Sequence, residues 1–146
     1  MADAVFVDTS AWYPAVVATH PDHNAVAAAL QATVRDGHRI VTTNLVIMET
    51  HALLLHRVGR MVALTFARTI YEPPTVVVSS TTDLEQQAIT DWIEPYADQQ
   101  FSLADGVSFA SMKARRISRV IALDSHFATA GFQLLPGPAP RKHRRR

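Results

Sequence analysis

The stretch Ala4-Val5-Phe6-Val7-Asp8-Thr9-Ser10 joins a short apolar run to an abrupt polar end. A run of this length with a polar boundary is typical of a buried strand, and the residues after it favour a helix from about position 9. The chain repeats this arrangement, with apolar runs separated by longer helical patterns. The predicted strands cover 4–7, 39–42, 75–79, 119–123 and, as a candidate edge strand, 132–135.

Between these strands the sequence predicts helices with recognisable ends. Asp22 and Asn44 are good helix N-caps, and Pro14 is expected in or near the first turn of its helix. The predicted helices begin near 9 and then cover 24–35, 44–56, 60–71, 82–96, 102–117 and 124–130. Such alternation predicts an α/β fold, a three-layer sandwich whose central, mostly parallel sheet is flanked by helices.

The composition limits the class of protein. The 146 residues, 48% of them hydrophobic and 18% charged, fit one folded domain over residues 1–136. The absence of cysteine excludes a disulfide scaffold, a thiolate zinc site and a cysteine nucleophile. No apolar run reaches the ~18 residues that a membrane helix needs, and Asp3 stands where a signal peptide would carry a basic residue. We therefore expect a cytoplasmic protein with no membrane partner.

The end of the chain, residues 137–146, is rich first in proline and then in basic residues. Positions 141–146 hold five of the 14 lysines and arginines. Residues 1–140 hold the other 9 against 13 acidic residues, a net charge of −4. We expect a flexible, solvated tail, with attraction to phosphate backbones as the alternative.

Four acidic residues occupy informative places. Asp8 and Asp124 each follow a predicted strand, and ligands of open α/β sheets bind at the carboxyl ends of strands. Asp105 lies in the first turn of a predicted helix, and Glu49 lies inside a very apolar one. Each has a structural explanation of its own, because aspartates at these places can cap helices and Glu49 can lie on an exposed helix face.

Taken together, the four positions favour a shared site. Carboxylates that converge repel one another and need a cation. Oxygen ligands without cysteine suit Mg²⁺ or Mn²⁺. Such an ion can polarise a phosphodiester and lower the pKa of an attacking water.

The same positions carry a resemblance to a known family. Val7-Asp8-Thr9-Ser10-Ala11-Trp12 resembles the opening motif of PIN-domain nucleases, and Glu49 matches the family's second acidic position. The stretches 103–110, Leu-Ala-Asp-Gly-Val-Ser-Phe-Ala, and 121–127, Ile-Ala-Leu-Asp-Ser-His-Phe, resemble the third and fourth motifs. The length is that of the VapC toxins of type II toxin–antitoxin modules, and the resemblance runs from Val5 to about Pro136.

The resemblance implies a PIN-like fold and a Mg²⁺-dependent endoribonuclease in which Mn²⁺ substitutes. Its catalytic, metal-binding residues would be Asp8, Glu49, Asp105 and Asp124, and a metal-activated water would hydrolyse an RNA phosphodiester. Thr9 and Ser10 would hydrogen-bond the metal ligands. Candidate substrates by resemblance are tRNA, rRNA and mRNA.

Several further residues are candidates for contact with RNA. Lys113, Arg115 and Arg116 follow the Asp105 helix closely, and they either contact RNA phosphates or form a solvated helix end. His126 stands where many relatives carry a second acidic residue; it either contacts substrate or is a partly exposed residue at a helix start.

The resemblance also implies partners. VapC toxins are typically homodimers and are inhibited by a cognate antitoxin, and the apolar helices between residues 45 and 71 favour a partner surface. The alternative function is a non-catalytic PIN-like module that binds RNA or protein. A phosphotransfer enzyme is disfavoured because Ser10 replaces the second aspartate of an Asp-x-Asp site.

Overall fold

The computed structural model describes residues 3–137, so all but the first residue of the predicted tail at 137–146 lies outside the described residues. Five strands form one sheet in the order β3-β2-β1-β4-β5, and every neighbouring pair is parallel. The strands are β1 Ala4–Val7, β2 Arg39–Thr43, β3 Thr75–Val78, β4 Arg119–Ile121 and β5 Gln133–Leu135. The predicted α/β fold with a parallel central sheet is confirmed.

Helices connect the strands and cover the sheet. They are α1 Thr9–Val16, α2 His23–Arg35, α3 Asn44–Arg57, α4 Arg60–Thr69, α5 Thr82–Ala88, α6 Leu103–Ala114 and α7 His126–Thr129. Helix α1 packs against α2 and α3, whereas α6 packs against α5 and the π-helical turn Ile89–Ile93 that extends α5. In the described part of the chain no helix is both long enough and apolar enough to cross a bilayer.

The core lies on the central strands. The β1 side chains Val5, Phe6 and Val7 are buried, and the valine- and isoleucine-rich β4 is buried beside them. An aromatic group packs between α6 and its neighbours, with Phe109 centred 5.0 Å from Phe127 and 5.2 Å from Trp92. The rigid centre of the sheet therefore fixes the point at which β1 and β4 end side by side.

Several details of the sequence prediction are wrong at element ends. Asp22 precedes α2, but its side chain makes no capping hydrogen bond. Pro14 lies beyond the first turn of α1. Helix α3 is capped by Thr43, whose Oγ1 accepts from Val46 N–H at 3.2 Å, because the Asn44 side chain instead accepts from Ser80 N–H at 2.8 Å.

The other two differences concern length. The predicted helix 82–96 becomes α5 and a π-helical turn that ends at Ile93. Strand β4 ends at Ile121 rather than at 123. Ala122 N–H still donates to Leu135 O at 3.1 Å, but the N–H groups of Leu123 and Asp124 turn toward the hydroxyl of Ser10 in α1.

Candidate metal centre at the carboxyl edge of the sheet

Asp8 stands at the carboxyl end of β1, where the chain turns into α1. Its backbone N–H donates to Ile121 O at 3.1 Å, which continues the β1–β4 pairing by one bond. Its side chain caps α1, since Oδ2 accepts from Ser10 N–H at 3.1 Å. The predicted capping role is therefore real. The residue is only 7% exposed and has no salt-bridge partner among residues 3–137, which is unusual for a carboxylate.

Ser10 joins the ends of β1 and β4. Its hydroxyl donates to Asp8 Oδ2 at 2.8 Å. The hydroxyl oxygen, Ser10 Oγ, accepts from the N–H groups of Leu123 at 3.0 Å and Asp124 at 3.3 Å. Strand order reverses between β1 and β4, the place where open α/β sheets bind ligands. One side chain thus sets the distance between two of the predicted site residues.

Asp105 and Asp124 meet at His126. The Asp105 carboxylate completes a capping box with Ser102, whose N–H donates to Oδ2 at 3.1 Å. His126 Nδ1 lies 3.1 Å from that oxygen and 3.6 Å from Asp124 Oδ1. One ligand atom from each of the three residues lies within 4.8 Å of the others. His126, the first residue of α7, is therefore part of the acidic cluster.

Glu49 reaches the cluster from the middle of α3. The base of its helix is tied to α1 by hydroxyls: Thr9 Oγ1 donates to Val46 O at 3.3 Å, and the buried Thr50 Oγ1 lies 2.8 Å from the same carbonyl and 3.2 Å from Thr9 Oγ1. Sequence reasoning did not find Thr50. Its only signal is a threonine directly after Glu49 in an apolar helix.

Electrostatics show that the carboxylates act on one another. Burial raises the pKa of Asp8 to about 6; the negative charges of Asp105 and Glu49 add to the effect, and the hydrogen bonds from Ser10 oppose it. Partial burial of the Glu49 carboxyl raises its pKa as well; the hydrogen bond from Thr9 opposes the rise, and the charges of Asp105 and Asp124 add to it. A bound cation would remove this repulsion.

The donor set fits a hard divalent cation. Four carboxylates and one imidazole face a common edge with no sulfur ligand, and two of the carboxyl groups resist ionisation without a counter-charge. Asp8, Glu49, Asp105 and Asp124 come from four separate segments of the chain.

The PIN domain family matches residues 5–133, which cover most of the sheet and all four carboxylates. This chain belongs to the PIN-domain family. Within it the chain belongs to the VapC ribonuclease toxins, because it is 34% identical over 128 residues to the 23S rRNA-specific endonuclease VapC20 of Mycobacterium tuberculosis, in both the CDC 1551 / Oshkosh and the H37Rv strains. That alignment covers 88% of this chain and 95% of the relative.

Solved structures of two proteins also match the fold of this chain. The crystal structure of Mycobacterium tuberculosis VapC20, a Sarcin-Ricin loop cleaving toxin, matches with a TM-score of 0.81 and 31% identity over 88% of this chain and 96% of that one. FitAcB from Neisseria gonorrhoeae matches with a TM-score of 0.66 and 14% identity over 89% of this chain and 95% of that one, which shows the shared PIN fold. A PIN nuclease domain implies use of a divalent metal ion.

Not every residue predicted to contact RNA lies at this edge of the PIN domain. Lys113, Arg115 and Arg116 follow Asp105 in sequence, but Asp105 lies in the first turn of the 12-residue helix α6, Lys113 lies in its last turn, and the two arginines follow its end. At about 1.5 Å per residue, that helix spans roughly 18 Å. Arg115 and Arg116 lie in the turn that enters β4, so they occupy the opposite, amino edge of the sheet.

Proposed function

We propose that this chain is a metal-dependent endoribonuclease toxin that cuts 23S rRNA in the sarcin–ricin loop. The observation that carries this proposal is the convergence of four carboxylates on one edge of the sheet: Asp8, Glu49, Asp105 and Asp124. The chain that holds them aligns over 88% of its length with VapC20. Ribosomal RNA is the substrate favoured among the three candidates, since the relative at 34% identity is named for it.

The four carboxylates would hold Mg²⁺, with Mn²⁺ as the substitute. A bound ion of this kind supplies positive charge against the phosphodiester oxygens and lowers the pKa of a neighbouring water. Ser10 orients Asp8 through its 2.8 Å hydrogen bond and opposes the rise in the pKa of that carboxyl, and the Thr9 hydroxyl opposes the rise in the pKa of Glu49. These two hydroxyls therefore hold ligands rather than touch the substrate.

His126 would contact the phosphate of the substrate. Its ring lies edge-on to Phe101, with centroids 5.2 Å apart, and this packing fixes the ring plane. Nδ1 faces Asp105 and Asp124, which leaves Nε2 as the nitrogen available to RNA. With this arrangement His126 would hold the substrate phosphate next to the carboxylates.

The protein partners would be a cognate antitoxin and a second copy of the chain, in the cytoplasm. Apolar side chains on α3 and α4 support a protein-binding face: Met48 is 61% exposed and Met61 is 69% exposed. Light scattering of the free protein and of Met61→Lys tests the homodimer. A wild-type monomer at micromolar concentration would remove the homodimer from the proposal.

The central experiment is a titration of Mn²⁺ into antitoxin-free protein, followed by cleavage of 23S rRNA and of a sarcin–ricin hairpin in the same buffers. Wild type, Asp8→Asn and the exposed control Asp91→Asn are compared. We expect binding and one discrete cut in wild type and control, and loss of both in Asp8→Asn. RNA binding without cleavage at any Mn²⁺ concentration would instead favour a non-catalytic RNA-binding module.

A further inference from the structure

A cavity lined by four charged and four apolar residues lies at the amino edge of the sheet, away from the acidic cluster. It has a volume of about 350 Å³, and Arg39, Arg115 and Arg116 line it together with Asp3. Arg39 is the first residue of β2, and the other two arginines lie just before β4. Because all strands run parallel, the four-residue β1 puts this cavity roughly 13 Å from the carboxyl edge, at about 3.3 Å per residue.

The cavity has a net positive charge, because three arginines and one aspartate line it. Within residues 3–137 no carboxylate oxygen lies within 4.0 Å of a side-chain nitrogen of Arg39, Arg115 or Arg116, and the Asp3 carboxylate makes its only such contact with Arg119, at 4.0 Å. The chain up to residue 140 has a net charge of −4, so a concentration of three arginines is distinctive. Three arginines this close together favour the binding of an anion between their guanidinium groups.

The backbone of Arg116 supports a role for its side chain. Helix α6 ends in a Schellman arrangement, in which Arg116 N–H donates to Lys113 O at 3.1 Å and Ile117 N–H to Met112 O at 2.8 Å. Arg116 has a φ of 56°, in the left-handed region that glycine adopts freely and that other residues adopt at a cost. An arginine therefore stands where glycine would be the more stable choice.

We propose that this cavity binds a phosphate group of the RNA substrate at a point remote from the cut. The source of the phosphate rests on the proposed function, whereas the anion site itself does not. Guanidinium groups bind phosphate oxygens through paired N–H donors, and an RNA held at both edges of the sheet gains attraction that the acidic cluster and the acidic body cannot supply. The RNA substrate would then extend beyond the loop that is cleaved and pass along the side of the sheet.

The test measures RNA binding by the full chain in EDTA, where no metal is bound and no cutting occurs. The dissociation constant of a sarcin–ricin hairpin with an extended stem is measured across salt concentrations for wild type, Arg39→Gln/Arg116→Gln and the control Arg60→Gln/Arg68→Gln. The control removes the same charge from α4, away from this cavity. We expect the cavity variant to bind about tenfold more weakly, with a salt slope lower by roughly 1–2, since each lost phosphate contact lowers it by about 0.7–0.9.

Arg116→Gly separates binding from folding. We expect its melting temperature to equal or exceed that of wild type while its salt slope falls by about 1. A lower melting temperature with unchanged RNA affinity would show that Arg116 is structural only and would overturn its part in the site.

Calorimetry with inorganic phosphate identifies the source of the anion. In one outcome, wild type binds phosphate, Arg39→Gln/Arg116→Gln does not, and this variant has the same RNA salt slope as the control. That result would overturn RNA as the source and support a site for a free phosphate. Equal slopes with no phosphate binding in wild type would overturn the site itself. Because the metal is absent throughout, neither result depends on whether the acidic cluster is catalytic.

Discussion

Ser10 Oγ lies 2.8 Å from Asp8 Oδ2 and donates its proton to that oxygen, so the carboxylate at the end of β1 is held by a residue two positions later. Ser10 Oγ in turn accepts hydrogen bonds from two backbone N–H groups in the loop after β4, those of Leu123 and Asp124. A serine at this place therefore does two things: it stabilises the ionised form of Asp8, and it fixes the spacing between Asp8 and Asp124.

Replacing Ser10 by alanine should weaken metal binding more than it weakens the fold. The substitution removes the hydrogen bond that lowers the pKa of Asp8 and frees the N–H groups of Leu123 and Asp124. We expect a loss of about 1–2 kcal/mol in the free energy of unfolding, because these N–H groups are partly accessible to water. We also expect at least tenfold weaker Mn²⁺ binding at pH 7. Urea unfolding and Mn²⁺ calorimetry measure the two effects, with the exposed Ser79→Ala as control; unchanged Mn²⁺ affinity would contradict the proposed role.

Asp8→Asn should stabilise the metal-free protein at neutral pH. Folding raises the pKa of Asp8 from 3.8 to about 6, so the group favours the folded state below pH 4 and progressively loses that contribution as the pH rises through 6. At pH 7 the ionised group costs about 3 kcal/mol, at about 1.4 kcal/mol for each tenfold change. Asparagine keeps an oxygen for the Ser10 hydrogen bonds without the charge.

We therefore expect Asp8→Asn to raise the free energy of unfolding by up to about 3 kcal/mol at pH 7 in EDTA, and to leave it almost unchanged at pH 4. The control Asp91→Asn, at an exposed site, should change it by less than about 0.5 kcal/mol. In saturating Mn²⁺ the free energy of unfolding should instead be higher for wild type than for Asp8→Asn, because only wild type gains binding energy from the metal. A metal-free mutant that is less stable than wild type at pH 7 would contradict the pKa shift.

Metal affinity should depend on pH around 6. A proton competes with the cation for Asp8, whose pKa is about 6, and the raised pKa of Glu49 adds to the competition. We expect the Mn²⁺ dissociation constant to be flat above pH 7 and to increase about tenfold or more between pH 6 and pH 5. Calorimetric titrations in matched buffers measure it. An affinity that stays constant from pH 5 to pH 7 would show that these carboxyl groups do not bind the ion.

The sequence predicts the sheet and its acidic edge well, because these depend on local patterns. The apolar run before Asp8 is buried as a strand, and the capping box of Ser102 and Asp105 forms as the spacing indicates. The end of β1 and the start of α6 are fixed by residues adjacent in the chain. The carboxylates at those positions could therefore be placed before the fold was known.

Contacts between distant segments could not be predicted in this way. Thr43 and Asn44 are both good caps, and the choice between them is made by Ser80, 36 positions from Asn44. Arg116 is close to Asp105 in sequence, yet the length of α6 carries it to the other edge of the sheet. Sequence spacing gives a position along a helix, whereas a site depends on which end of that helix meets the sheet.

Gly106 is a position whose importance only packing reveals. It follows Asp105 in the first turn of α6, and a Cβ added there would lie 3.2 Å from Ile93 Cδ1 and 3.3 Å from Ala88 Cβ. These atoms belong to α5 and its π-helical extension, so the missing side chain lets that segment pack closely against the helix that carries Asp105.

Gly106→Ala should therefore weaken metal binding without unfolding the protein. Overpacking costs about 1–3 kcal/mol, and the better helix propensity of alanine returns about 1 kcal/mol. A displacement of a few tenths of an ångström in α6 moves Asp105 directly, and we expect Mn²⁺ affinity to fall three- to tenfold. Ile93→Val removes the nearest methyl group, so the double variant Gly106→Ala/Ile93→Val should recover part of that affinity, while Ile93→Val alone leaves it unchanged. If the two substitutions act independently in this cycle, Gly106 does not position Asp105 through Ile93.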